Sequence, residues 1–148
     1  MDLNYLDAKQ AVNIVPDLMV DLNAEKDDGP DPMRIILMLY DGCISYLNKA
    51  IKYAENGDIK NKNVYTNKAG DIIFELDKAL NIEAGGEIAK NLSSLYVFMA
   101  RNLVETIQKN NTRGLNEVIK MLSGLKEAWD HVAESIKGSA GKGMKLTN

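Results

Sequence analysis

The sequence holds one cysteine and one histidine among its 148 residues, and each scarcity removes a class of function. Cys43 alone cannot build an internal disulfide framework, and a chain of this length buries roughly 68–70% of its unfolded surface without one. A lone thiol also fits a reducing compartment. A di-metal helical bundle draws Glu-x-x-His pairs from two helices, which a single histidine rules out. Carboxylates are scattered rather than convergent, so no metal, no organic cofactor and no catalytic residue is expected. The only adjacent glycines, Gly85-Gly86, lack the flanking Gly-Lys-Ser/Thr of a phosphate loop and read as a helix turn. Long apolar runs are missing too. An uncharged apolar run such as Ile35 to Tyr40, which no other exceeds in length, is far short of a membrane span, and the first residues lack the basic start and apolar stretch of a secretory signal. A cytoplasmic protein without membrane insertion is the expectation. Eighteen Lys and Arg against 21 Asp and Glu give a net charge of −3 and a pI near 5.2. No basic face is clustered among them, so nucleic acid is a poor fit as partner.

What remains is 45% apolar and 26% charged residues, the balance of one soluble globular domain. From Asp31 to Ile136 apolar residues recur every three or four positions, the helix period, with no competing strand alternation. Asp31-Pro32 opens a first helix, where the Asp side chain caps free amides and Pro lacks only an unused donor. Asn56-Gly57-Asp58 ends it and starts a second, carrying Val64, Ile72, Ile73, Leu76 and Leu80. Gly85-Gly86 reverses the chain into a third, with Ile88, Leu92, Leu95, Met99 and Leu103. The polar run 109–112 stops that one, and a fourth carries Leu115 through Trp129 to Ile136. The spacing predicts an all-α fold, an antiparallel up-down four-helix bundle over 31–137. An N-terminal cap segment and linker, 1–30, would add a short helix or cap. There Ala8, Ala11, Val12, Val15, Met19 and Leu22 share one side, Pro16 interrupts the run, and Asn23 to Pro30 is polar and acidic. The stretch 138–148 reads as a disordered tail, too polar and glycine-rich to offset its ordering entropy.

The first helix carries more apolar surface than a simple bundle uses, whose helices show an arc somewhat over about 100°. With Ile35 at zero and about 100° per residue, Leu39, Ala50, Cys43, Ile36 and Leu47 fill roughly 40° to 120°. Tyr40, Met33, Ile51, Ile44 and Leu37 continue to about 200°. In the third helix Val97, Phe98 and Val104 stand outside the main stripe. A second apolar face has a bland use, as the seat of the N-terminal segment or of a homodimer. Its sharper use is a groove for a partner helix, lined by Met33, Leu37, Tyr40, Ile44, Ile51 and Phe98. Cys43 has no cation one turn away to activate it and reads as a buried structural thiol, and Trp129 as a core anchor. His131 falls on the polar face beside Glu127 and Glu134, where a histidine phosphotransfer bundle would expose its phosphoacceptor. The residues that follow, Val132-Ala133-Glu134-Ser135, lack the lysine and glycine of such a site, and Glu134 would repel the phosphoryl group. A structural helical dimer is a further alternative.

Four runs then occur in order: Pro32-Met33-Arg34-Ile35-Ile36-Leu37-Met38-Leu39-Tyr40-Asp41-Gly42, Lys68-Ala69-x-Asp71-Ile72-Ile73-x-Glu75-Leu76, Gly85-Gly86-Glu87-Ile88-Ala89-x-Asn91-Leu92 with Leu95-Tyr96, and Leu125-Lys126-Glu127-Ala128-Trp129. Over about Pro32 to Val132 the chain resembles the flagellar secretion chaperone FliS family. The resemblance implies a small antiparallel helical bundle without catalytic activity. It implies binding of the disordered C-terminal segment of flagellin in the cytoplasm, which prevents premature polymerisation and assists delivery to the type III export gate. It makes the excess apolar face the expected flagellin groove, and Tyr5 the candidate for an N-terminal cap and an export-gate contact. The chain departs from the family by a longer stretch between Tyr5 and Leu39-Tyr40, with Asn23 to Pro30 inserted.

Overall fold

The computed structural model of the chain describes residues 32–80 and 82–147, with side chains from Met33 to Glu134 except at positions 81 and 133. The cap segment 1–30, Tyr5 included, lies outside the described residues. Four helices are described: α1, Pro32–Glu55; α2, Ile59–Lys78; α3, Ile82–Lys109; and α4, Arg113–Thr147.

The helix ends follow from local chemistry. Gly57 adopts φ 75°, and beyond it the Asp58 N–H reaches the Tyr53 carbonyl at 2.8 Å while the Gly57 N–H reaches Ala54 at 3.0 Å. This six-to-one, five-to-two pair satisfies the last carbonyls of α1. Asp58 immediately caps α2 by accepting from the Asn61 N–H at 3.1 Å. That bond holds its carboxyl below the ordinary range. Gly86 sits at φ 59°, ψ −137° inside α3, a conformation that side chains disfavour, so the first turn of α3 is broken from the rest there. At the far end Asn110 takes φ 52°, and Asn111 N–H closes on the Thr106 carbonyl at 3.3 Å.

Each helix packs on its neighbours in sequence and the first also packs on the last. Cys43 meets the Ala69 carbonyl and Tyr53 stacks on Tyr65, so numbers rise along α1 as they fall along α2. Lys62 likewise reaches Thr106 near the end of α3, and Asp41 pairs with Lys126 of α4. The shared core takes Tyr40, Cys43 and Leu47 from α1, Ile73 and Leu76 from α2, Tyr96 and Met99 from α3, and Leu122, Leu125 and Trp129 from α4. Through its middle runs a polar chain: the Trp129 Nε1–H donates to the Tyr40 hydroxyl at 3.2 Å, and that hydroxyl shares a hydrogen bond with Tyr96.

A second polar element is Lys62, wholly buried. Its Nζ donates to the Thr106 carbonyl and to Asn110 Oδ1, each at 3.0 Å. The ammonium thereby satisfies the C-terminal end of α3, where the helix dipole favours positive charge, and burial lowers its pKa.

α4 is helical to Thr147, beyond Gly138. Its glycines there are single, each costing about 1 kcal/mol against alanine, and no proline follows to stop the helix. Val132 is nonetheless the last core residue of α4 among those described.

The seams have contrasting tolerances. A β-carbon on Gly114 would lie 2.5 Å from Thr106 Oγ1 and 3.2 Å from the Asn102 carbonyl oxygen, and Thr106 Oγ1 already donates to that carbonyl. Gly114→Ala is therefore expected to cost about 1–3 kcal/mol. Gly70, helical in α2 with open space around an added β-carbon, should behave oppositely. Gly70→Ala is expected to gain about 0.5–1 kcal/mol. Urea midpoints of the two variants check both signs.

Candidate functional site

Phe74 is 62% exposed, Val104 52%, Phe98 46% and Val97 42%, an unusual outlay of large apolar side chains for a solvated surface. They gather along α2 and α3. In the run Ile72-Ile73-Phe74, Ile73 enters the core and Ile72 lies against Gly42 of α1. Successive helical residues are about 100° apart, which leaves Phe74 on the side of α2 away from α1. In α3 the buried stripe Tyr96, Met99, Leu103 is followed one residue later by Val97, Ala100, Val104. This second stripe repeats the same three-four spacing about 100° further round.

Between these elements lies a groove of about 570 Å³. Buried Ile73 and Tyr96 form its floor with the small residues Gly70 and Ala100, and Phe74, Val97 and Val104 stand along its sides. Burial raises the Tyr96 hydroxyl well above its ordinary pKa, so it remains a neutral part of the floor. Asp77 contributes at one end and Gln108 and Lys109 at the other. A second depression of about 500 Å³, with Ser93, Ser94, Phe98 and Asn102, adjoins the first across a ridge made by Val97 and Arg101, which line both. The arrangement offers apolar seats at helical spacing with few polar groups, suited to holding a polypeptide face. Among the described residues no cluster of His, Cys, Asp or Glu could hold a metal ion.

The expected groove on α1 needs correction at two residues. Met33 and Tyr40 belong to the core, Tyr40 being tied to both Tyr96 and Trp129. The buried stripe of α1 is Met33, Ile36, Tyr40, Cys43, Leu47 and Ala50, which is the centre of the apolar arc and not its edge. A helix flanked by two others buries both shoulders of such an arc. Leu37, Ile44 and Ile51 form one shoulder, partly buried against the core, on the side where Asp41 meets Lys126. Leu39 and Tyr46 form the other. Phe98 is exposed as expected, beside the α2–α3 groove. Tyr5 lies outside the described residues. Cys43 is buried, Trp129 is in the core, and His131 is exposed on α4. Phe74 was missed, although three consecutive apolar residues in an amphipathic helix already require one to face outward.

Residues 28–136 match the family model described as "Flagellar protein FliS". The flagellar secretion chaperone FliS of Salmonella typhimurium is 40% identical over 103 residues, 69% of this chain and 76% of its own length. The FliS of Vibrio cholerae is 38% identical over 101 residues, 68% of this chain and 74% of its own. The flagellar secretion chaperone FliSB of Pseudomonas aeruginosa is 37% identical over 114 residues, 77% and 90% of the two chains.

Proposed function

The chain belongs to the FliS family of flagellar proteins, a family of secretion chaperones and not of enzymes, and from that premise we propose that it binds the disordered C-terminal segment of flagellin in the cytoplasm. Binding keeps that segment from polymerising prematurely and presents it for type III flagellar export, with the export gate as a second partner. An up-down four-helix bundle, capped by the N-terminal segment with Tyr5, is the architecture that goes with this reading. The observation that carries it is the α2–α3 groove, on whose apolar walls no other helix lies among the described residues.

A segment that folds on its partner gives up about 2–5 kcal/mol or more of its interaction energy to ordering. Anchors of roughly 1.5–3 kcal/mol each must therefore act together. Phe74, Val97 and Val104 supply them in the groove, with Phe98 on the adjoining face. Leu37, Ile44 and Ile51 on α1 are a second candidate seat, less open because they already pack against the core.

Phe74→Asp and Ile44→Asp separate the two. With a synthetic flagellin C-terminal peptide, Phe74→Asp is expected to weaken binding by several kcal/mol by placing a charge among apolar groups, while the bundle stays helical because Phe74 is exposed. Ile44→Asp is expected to cost mainly stability. Normal peptide affinity in a folded Phe74→Asp protein would remove this groove as the flagellin site. His131 carries no comparable arrangement, and an assay for acid-labile phosphate after incubation with a phosphodonor tests that reading directly.

A further inference from the structure

We propose that Arg101 sets the register of the bound segment by pairing with a side-chain carboxylate of that segment, an Asp or Glu about one turn from its apolar anchors. The inference rests on the groove reading above and concerns how the same site orients its ligand.

Arg101 stands on the ridge between the two depressions and lines both. On α3 its one-turn neighbours are Val97 and Phe98 before it and Val104 and Glu105 after it. Glu105 is the carboxylate one turn away on the same helix, yet it pairs with Lys109 at 2.9 Å. The order explains the choice. A carboxylate four residues before a cation aligns better with the helix dipole than the reverse arrangement, so Glu105 turns to Lys109 and leaves the guanidinium of Arg101 without an ion pair among the described residues. An exposed Arg with an unclaimed donor fork therefore projects from the middle of the apolar surface.

Apolar seats alone do not fix register. Val97, Ala100 and Val104 repeat at three-four spacing, so an amphipathic helix displaced by one turn finds nearly equivalent seats. A guanidinium that grips a carboxylate with two parallel hydrogen bonds is geometrically selective. It would favour one setting and penalise an apolar or basic residue placed over the ridge. The carboxylate could also be that of the segment's chain end, and the experiment distinguishes the two sources.

Titrating a synthetic flagellin C-terminal peptide into wild type, Arg101→Gln, Arg101→Glu and Phe74→Asp tests the proposal. Arg101→Gln is expected to weaken binding about tenfold, the usual worth of a hydrogen bond to a charged group. Arg101→Glu should weaken it further, at unchanged melting temperature. Changing one acidic residue of the peptide to Lys should restore the affinity of Arg101→Glu. Two results would overturn the proposal while leaving the groove in place: Arg101→Glu binding like wild type while Phe74→Asp fails to bind, or no acid-to-Lys peptide restoring Arg101→Glu. If amidating the peptide's C-terminus alone reproduces the Arg101→Gln loss, the carboxylate is the chain end and the side-chain assignment is wrong. If Phe74→Asp also binds normally, the groove reading falls together with the register anchor.

Discussion

Replacing Trp129 with alanine is expected to cost about 3–5 kcal/mol of folding stability, the range for removing a large buried aromatic side chain. Against total stabilities of about 5–15 kcal/mol, that is a large share. Two effects combine. The indole is 2% exposed within the stripe that α4 presents to the core, so its loss leaves a cavity beside Leu125 and Val132. Its Nε1–H also donates to Tyr40, whose hydroxyl then keeps only Tyr96. Trp129→Phe retains most of the volume and gives up chiefly that one bond, worth about 1 kcal/mol, so its cost should be much smaller. Trp129 is the sole tryptophan, so urea unfolding of both variants is followed by far-ultraviolet circular dichroism. A loss below about 1 kcal/mol in the alanine variant would show that the site collapses around the missing ring.

The legible and illegible parts of the molecule divide by physical range. Most helix starts and stops were readable because they are local: Gly57, Asp58 and the polar run after Lys109 act within a turn of themselves, whereas Gly85-Gly86, read as the reversal into α3, lies inside that helix. The all-helical class was readable because a three-four apolar period over about a hundred residues has few alternatives. Lys62 was not readable. A lysine in an amphipathic helix is ordinarily solvated, and only the arrival of the α3 end in space turns it into a buried cap for Thr106. The groove was half readable. Val97, Phe98 and Val104 announced a second stripe on α3, but whether Phe74 or Ile44 stands opposite depends on which helices flank α1. The width of an apolar arc does not say whether the excess is covered by neighbours on both sides or left open. For α1 it is covered, which is why Tyr40 and Met33 lie in the core.

Raising the pH above about 9 is expected to destabilise the bundle from its centre. Burial pushes the Cys43 thiol from 9.0 up to about 12 and carries the hydroxyls of Tyr40 and Tyr96 well above their ordinary 10.0. In each case the folded state keeps a proton that the unfolded chain releases. The stabilisation is therefore complete below the unfolded value and is lost as the pH climbs toward the folded one, at about 1.4 kcal/mol per unit and group. By pH 11 the thiol alone removes roughly 2–3 kcal/mol, and the two tyrosines add to this from about pH 10. Lys62 has the opposite sign. Its folded value is lowered from 10.5, so the unfolded chain binds the proton more tightly and stability gains as the pH rises through that interval. Lys126, raised by its pairing with Asp41, adds a loss at the surface, so one gain opposes four losses and the net slope is downward. Urea unfolding at about pH 8, 9, 10 and 11 reads the slope for wild type, Cys43→Ala and Tyr40→Phe. Cys43→Ala should carry a constant offset for its lost sulfur yet flatten the limb between pH 9 and 10, where the loss from the thiol precedes that from the tyrosines, whereas Tyr40→Phe should change the limb above pH 10. A wild type equally stable at pH 8 and 11, or a Cys43→Ala slope identical to that of wild type, would mean that solvent reaches this centre and the buried protons are not what holds it.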